Sequence, residues 1–227
     1  FHYQNVCYLA AGRILGEQSK RGWDGLLRDR ILRPLGMDET GVDVEQLRGP
    51  RAATGYDRGE LGEHAARDVE GRPILPWIEP EDLVLDDSGD AYWRRRAPRD
   101  LSSIAPAGAV NSTAADMARW VDLVLRRGLA ADGTRLIPES AFEEAWTSRI
   151  DAGPGVGYGL GFMIREWRGR RLVEHGGNID GFSAQVAWLP DDGVGYALLT
   201  TLSPTPMVAL ANDAIFSALL EPLPGAG

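Results

Sequence analysis

Between Gly159 and Leu202 the chain reads as four strands with almost no chain between them. Gly159 to Glu166 is followed by the turn Arg168-Gly169, then by a strand from Arg171 to Gly176. Phe182 to Leu189 is a third strand, Asp191-Asp192-Gly193 a turn, and Val194 to Leu202 a fourth. Connections this short cannot return the chain over a sheet face, so successive strands must pair antiparallel. A helix over 206–220, with Val208, Ala211, Ile215 and Leu219 on one face, is expected to lie on that sheet.

Upstream the period is helical. Val6, Leu9, Ala10 and Ile14 predict a helix over 4–20 with Gly22 as its stop. Trp23, Leu26, Leu27 and Ile31 predict a second over 23–34, ended by Pro34 and Gly36. Thr113-Ala114-Ala115-Asp116 reads as a capping box, the acid reaching back to the threonine N–H. The helix it opens carries Met117, Trp120, Val121, Val124 and Leu125, and Pro138 starts a shorter one with Phe142 and Trp146. From 43 to about 105 the pattern is irregular. Pro73, Pro76, Pro80, Pro98 and Pro106 punctuate it, beside acidic clusters at 79–82 and Asp86-Asp87. A region this long would shape or cover a pocket. The expected fold class is α+β, with one domain over 1–227. Residues 1–150 are mostly helical and irregular, and 151–227 hold the antiparallel sheet and C-terminal helix.

Charge narrows the partners. A net charge of −9 argues against nucleic acid, and Arg94-Arg95-Arg96 reads as a solvated loop. The one cysteine, Cys7, allows no internal disulfide and reads as a buried, inert thiol. His2, His64 and His175 form no close-spaced ligand pair, so no metal or other cofactor is implied. No stretch has the length of a transmembrane segment.

One segment asks for chemistry. Leu172-Val173-Glu174 leads into His175-Gly176-Gly177-Asn178 and then Ile179-Asp180-Gly181. Alternation puts His175 and the bare Gly177 on one face, an arrangement suited to a ledge on which an extended substrate adds as a strand. The same residues also suit an edge strand that simply turns.

Several motifs follow in order along the chain: Tyr3-Gln4-Asn5 before the first helix, Pro34-Leu35-Gly36-Met37, Pro106-Ala107-Gly108 before Ser112-Thr113-Ala114-Ala115-Asp116, Gly157-Tyr158-Gly159-Leu160-Gly161, and His175-Gly176-Gly177. Together they resemble the serine β-lactamase and penicillin-binding-protein superfamily, in its class C-like branch of esterases, D-aminopeptidases and D-Ala-D-Ala carboxypeptidases. The resemblance implies a β-lactamase/transpeptidase-like fold and a serine hydrolase acting through an acyl-enzyme. It implies catalytic roles for Tyr3, Asn5 and His175, and substrate binding by Gly176, Gly177 and Asn178. A tyrosine hydroxyl held near positive charge can relay a proton to and from a serine. The Asn5 amide can hold a substrate carbonyl. His175 would supply positive charge or a hydrogen bond near Tyr3, and the Asn178 N–H would be half of an oxyanion hole.

The departure is in the nucleophile. The family's Ser-x-x-Lys motif is absent: Lys20 is the only lysine among the 24 basic residues, and Glu17 stands three residues before it. The chain also opens Phe1-His2-Tyr3, which is the expectation for a chain cut into, its nucleophile and any leader lying upstream. An α/β-hydrolase would need a Gly-x-Ser-x-Gly elbow, and Gly181-Phe182-Ser183-Ala184-Gln185 fails at its last position. The expected function is hydrolysis of an amide or ester in a small molecule or short peptide. A nucleophile-free binding or structural homologue of the same fold is the alternative.

Overall fold

The computed structural model describes residues 1–60, 70, 72, 78–85 and 91–220. Helix α1 (Asn5–Ser19) forms where its apolar spacing predicts, but it buries a different face. Val6 and Ile14 are 65% and 55% exposed, and Cys7 is exposed rather than buried. The buried positions are Gly12 and Gly16. The second predicted helix is α2 (Gly22–Leu27), which widens into a π-helical turn (Arg28–Leu32) and closes as α3 (Arg33–Leu35). Pro34 lies inside that last turn, and Gly36 ends it at φ 64°. A side chain on Gly16 would press on the Trp23 backbone nitrogen, and one on Gly12 would collide with the Pro106 ring. Hence α1 lies backbone-close to α2 and to α4 (Ala105–Gly108).

The irregular region contains a small antiparallel sheet of β1 (Gly55–Glu60), β2 (Leu83–Leu85) and β3 (Ala91–Arg96), in the order β1-β3-β2. Arg94-Arg95-Arg96 is therefore a strand and not a solvated loop. Its charges are met across the sheet: Arg94 and Arg96 by Asp57 at 2.6 and 3.3 Å, Arg95 by Asp82 at 2.7 Å. Pro73, Pro76, Asp86, Asp87 and His64 lie outside the described residues.

Thr113 caps α5 (Ala114–Leu125) by accepting from the Asp116 N–H, as expected. The other half of the box differs. Buried Asp116 turns its carboxylate to the Glu39 N–H (2.9 Å), the Thr40 hydroxyl (2.8 Å) and Arg119 (2.8 Å). It thus ties α5 to the loop after α3, where Gly41 and Asn111 also exchange backbone hydrogen bonds. Helix α6 (Glu139–Ala145) follows Pro138.

Among the described residues the meander has six strands in simple sequential order, all antiparallel: β4 (Ile150–Gly153), β5 (Val156–Tyr158), β6 (Met163–Trp167), β7 (Arg170–Ile179), β8 (Phe182–Leu189) and β9 (Val194–Thr200). Residues Gly159 to Phe162, expected to begin a strand, are instead the link between β5 and β6. Strand β7 does not stop at its glycines but continues to Ile179. Its turn is Asp180-Gly181, both at positive φ (46° and 81°), the form whose twist suits a two-residue hairpin. Helix α7 (Met207–Leu220) covers one sheet face, packing Ala211 and Phe216 on Leu172, Ala187, Leu189 and Tyr196. Leu219, expected on that face, is exposed. The opposite face packs Val173 and Trp188 against Val124, Phe142 and Trp146 of the α5–α6 region. Fully burying a side chain such as Phe216 stabilises by about 1.5–3 kcal/mol.

Candidate active site

The site follows from where β6 ends. The β6–β7 ladder runs from Trp167↔Arg170 to Met163↔Glu174 and stops, while β7–β8 pairing continues to Ile179↔Phe182. From His175 to Ile179, β7 therefore has a strand on one side only among the described residues. Each hairpin turn closes on a hydrogen-bonded pair, and bonded pairs alternate along an antiparallel ladder. Ile179, Gly177 and His175 thus bond to β8. Gly176 and Asn178 direct their N–H and C=O groups to the open edge.

Side chains alternate too. His175 and Gly177 lie on the α5–α6 face, and Gly176 and Asn178 on the α7 face. A side chain on Gly176 would meet Gln185 Oε1 at 2.6 Å, so a larger residue there has to displace the Gln185 amide. Gly177 is different: a Cβ there meets nothing within 4 Å, and its φ is not positive. Neither backbone nor packing within this chain requires a glycine at 177. Its bareness leaves open space beside His175. The Asn178 side chain is turned away, its Oδ1 accepting from the Ser183 hydroxyl at 2.6 Å and the Ser203 hydroxyl at 3.4 Å.

On the His175 face three rings converge. The Tyr3 hydroxyl and the Tyr158 hydroxyl each lie 3.4 Å from His175 Nε2. The Tyr3 and Tyr158 rings meet edge-on at 6.1 Å, and Phe1 packs on Tyr158 at 5.1 Å. Burial pushes the His175 imidazole below its ordinary value, against the opposing pulls of the Gly176 backbone and the Glu174 charge. The ring is therefore neutral near pH 7. Of the two expected roles, a hydrogen bond to Tyr3 fits this direction and a positive charge does not. Tyr158 is buried, and burial first, then Tyr8 and Tyr3, push its phenol well above the usual tyrosine range. Asn5 stands exposed in the first turn of α1, two residues from Tyr3.

Beneath the other face lies a polar anchor. Glu174 is buried and accepts from Gln185 Nε2 (2.7 Å) and Asn212 Nδ2 (2.6 Å), and the Arg165 guanidinium meets its second oxygen. The Tyr196 hydroxyl donates to Asn212 Oδ1 at 2.7 Å. This network fixes β7 to α7 directly under His175.

Sequence reasoning missed Tyr158 as a neighbour of His175. The available signal was the glycine on each side of Tyr158. A side chain on Gly157 would collide with Ser148 and one on Gly159 with the Ala145 carbonyl, so this segment presses against the end of α6. Tyr158 is thereby held with its hydroxyl toward His175.

The profile of one family, described as "Beta-lactamase", matches residues 1–220. The chain is 31% identical over 205 residues to penicillin-binding protein 4 of Amycolatopsis lactamdurans, covering 87% of this chain and 46% of that protein. It is 24% identical over 227 residues to an unguisins hydrolase of Aspergillus campestris, covering 97% of this chain and 36% of that one. Its fold superposes on the octameric penicillin-binding protein homologue from Pyrococcus abyssi with TM-score 0.69 at 22% identity, over 97% of this chain and 42% of the other. The chain spans less than half the length of the curated relatives it matches. With helices and antiparallel sheets in this arrangement and the profile running through residue 220, the chain belongs to the serine β-lactamase and penicillin-binding-protein family of hydrolases.

Proposed function

We propose that these residues form the tyrosine-and-strand half of an acyl-transfer site in a β-lactamase-related serine hydrolase of the esterase, D-aminopeptidase or D-Ala-D-Ala carboxypeptidase type. The observation that carries the reading is the meeting of Tyr3 and His175, 172 residues apart, beside an unpaired strand edge and an open Gly177. A structural role alone gives no reason for all three to coincide. The nucleophilic serine and its lysine come from outside these 227 residues, which contain no Ser-x-x-Lys.

In this reading the serine Oγ attacks the carbonyl carbon of an amide or ester and gives its proton to the Tyr3 oxygen while Tyr3 passes its own phenolic hydrogen along its contact to His175 Nε2, which hands it back when Tyr3 protonates the leaving group. Neutral His175 accepts the Tyr3 hydrogen bond and orients the phenol. The developing oxyanion takes the Asn178 N–H, which points to the open edge. Tyr3 then returns the proton to the leaving amine or alcohol as the C–N or C–O bond breaks. Water, deprotonated by the same path, releases the acyl group and restores the serine. Asn5 holds a substrate carbonyl, and the substrate backbone pairs with Gly176 and Asn178.

A fluorophosphonate or fluorescent penicillin tests this by peptide mapping. No serine within residues 1–227 should be labelled, and a longer protein that includes upstream sequence should label at a Ser-x-x-Lys serine. Label on any serine of this chain would show that the reaction centre is misplaced. A longer protein with no reactive serine would favour the second reading, a binding homologue.

A further inference from the structure

We infer that Ser183 and Gln185 of β8 are positioning residues: they brace the open half of β7 from behind and hold the backbone groups of Gly176 and Asn178 for a strand that adds beside them. The inference rests on the acyl-transfer reading for the identity of that strand, a substrate backbone, but not for its geometry.

The chemistry behind β7 changes at the register where β6 ends. On the α7 face, Leu172 of β7 and Ala187 and Leu189 of β8 are apolar and pack on Ala211 and Phe216. The last β6 rung is Met163↔Glu174. Beyond it the rungs on this face are Gly176↔Gln185 and Asn178↔Ser183, and both β8 residues are polar and buried, at 6% and 1% exposure. Burying a polar side chain costs free energy unless it is bonded, so a sheet built for stability alone would continue the apolar row. Both residues are bonded, each to a group that is itself anchored. The Ser183 hydroxyl lies 2.6 Å from the Asn178 amide oxygen and 2.7 Å from the Leu202 carbonyl oxygen, which joins β7 to the segment after β9. The Gln185 amide donates to buried Glu174 at 2.7 Å, and Glu174 is held in turn by Asn212 of α7. The Gln185 amide oxygen then lies over Gly176, 2.6 Å from where a Cβ would stand. Gln185 thus fills the side-chain space that Gly176 leaves empty. A strand with a partner on one side only is free to twist and shift, and apolar contacts resist this weakly because they have no direction. Hydrogen bonds have direction. These fix the offset of the two residues that face the open edge without occupying that edge.

Backbone 15N relaxation of the labelled 227-residue chain reads this directly. In the wild type the Gly176 and Asn178 amides should exchange readily with solvent yet be as ordered as paired strand, with order parameters of about 0.85. Ser183→Ala should lower the value at Asn178, and Gln185→Met the value at Gly176, toward about 0.6, while Val173 and Trp188 stay unchanged. Disordered wild-type amides at 176 and 178 overturn the proposal, as do folded variants with unchanged order there. The two variants remove separate bonds, so one suffices if the other does not fold, and if neither folds the wild-type values decide. In a longer protein that labels at its serine, the same variants should slow acylation by a saturating peptide ester about 10- to 100-fold. Unchanged acylation with lost edge order would also overturn the proposal. A longer protein that labels nowhere sinks the acyl-transfer reading and leaves the relaxation result standing.

Discussion

Glu174 and Asn212, on β7 and α7, share a buried 2.6 Å hydrogen bond that joins the sheet to its covering helix one residue from His175. Replacing Glu174 by Ala leaves the Gln185 and Asn212 amides as buried donors without an acceptor, while half-exposed Arg165 can turn to water. The expected loss is about 2–4 kcal/mol, one to two units for each stranded donor. Glu166→Ala, on the exposed side of β6, should stay within about 0.5 kcal/mol. Urea unfolding of both variants checks this, and equal midpoints would mean the network contributes nothing.

His175 should make stability fall on acidification. Its folded value is lowered from 6.5, so the unfolded chain binds the proton more readily. The contribution is fully present above about pH 6.5 and is lost as pH falls through the lower folded value. Carboxylates titrate nearby, so the comparison is with His175→Asn. The wild type should lose more stability than the variant between pH 7 and 5, and parallel curves would contradict the burial argument.

Gly181 and Gly193 form a controlled pair. Both have positive φ, 81° and 68°. A side chain on Gly193 meets nothing, so Gly193→Ala should cost only about 1–2 kcal/mol of backbone strain. A side chain on Gly181 collides with the Tyr56 nitrogen, which bonds the Gly181 carbonyl at 3.1 Å. Gly181→Ala should therefore cost more and release the small sheet, seen as new protease cleavage within residues 55–60 or 91–96. Equal costs for the two variants would refute the docking role of this turn.

Gly177→Val separates function from folding. Its Cβ meets no atom within 4 Å, and valine suits a strand, so stability should change by no more than about 0.5 kcal/mol. In a longer protein that labels at its serine, acylation should slow by at least about 10-fold, because the side chain fills the space beside His175. Tyr3→Phe there should slow turnover by about 10²–10⁴-fold. Normal acylation by the valine variant would remove the open face from the site.

Much of this was legible because strand alternation and short turns are local properties. The β8 limits, the Asp191–Gly193 turn and the shared face of His175 and Gly177 need only a period of two. The α1 error has a tertiary cause: Gly12 and Gly16 carry no hydrophobic signal, yet they set the buried face by letting Pro106 and Trp23 come close. Asp116 reads as a local capping acid, but partners 76 and 77 residues away take its carboxylate. Tyr158 was hidden for a similar reason, since Gly159 reads as the start of a strand that begins after it.

The unpaired half of β7 also acts as a ruler. Only Gly176 and Asn178 present backbone groups to the open side, and alternate strand residues are about 6.8 Å apart. An extended chain lying there can exchange bonds at just those two marks. In the proposed reading the edge therefore measures about one dipeptide repeat, before any side-chain pocket is consulted.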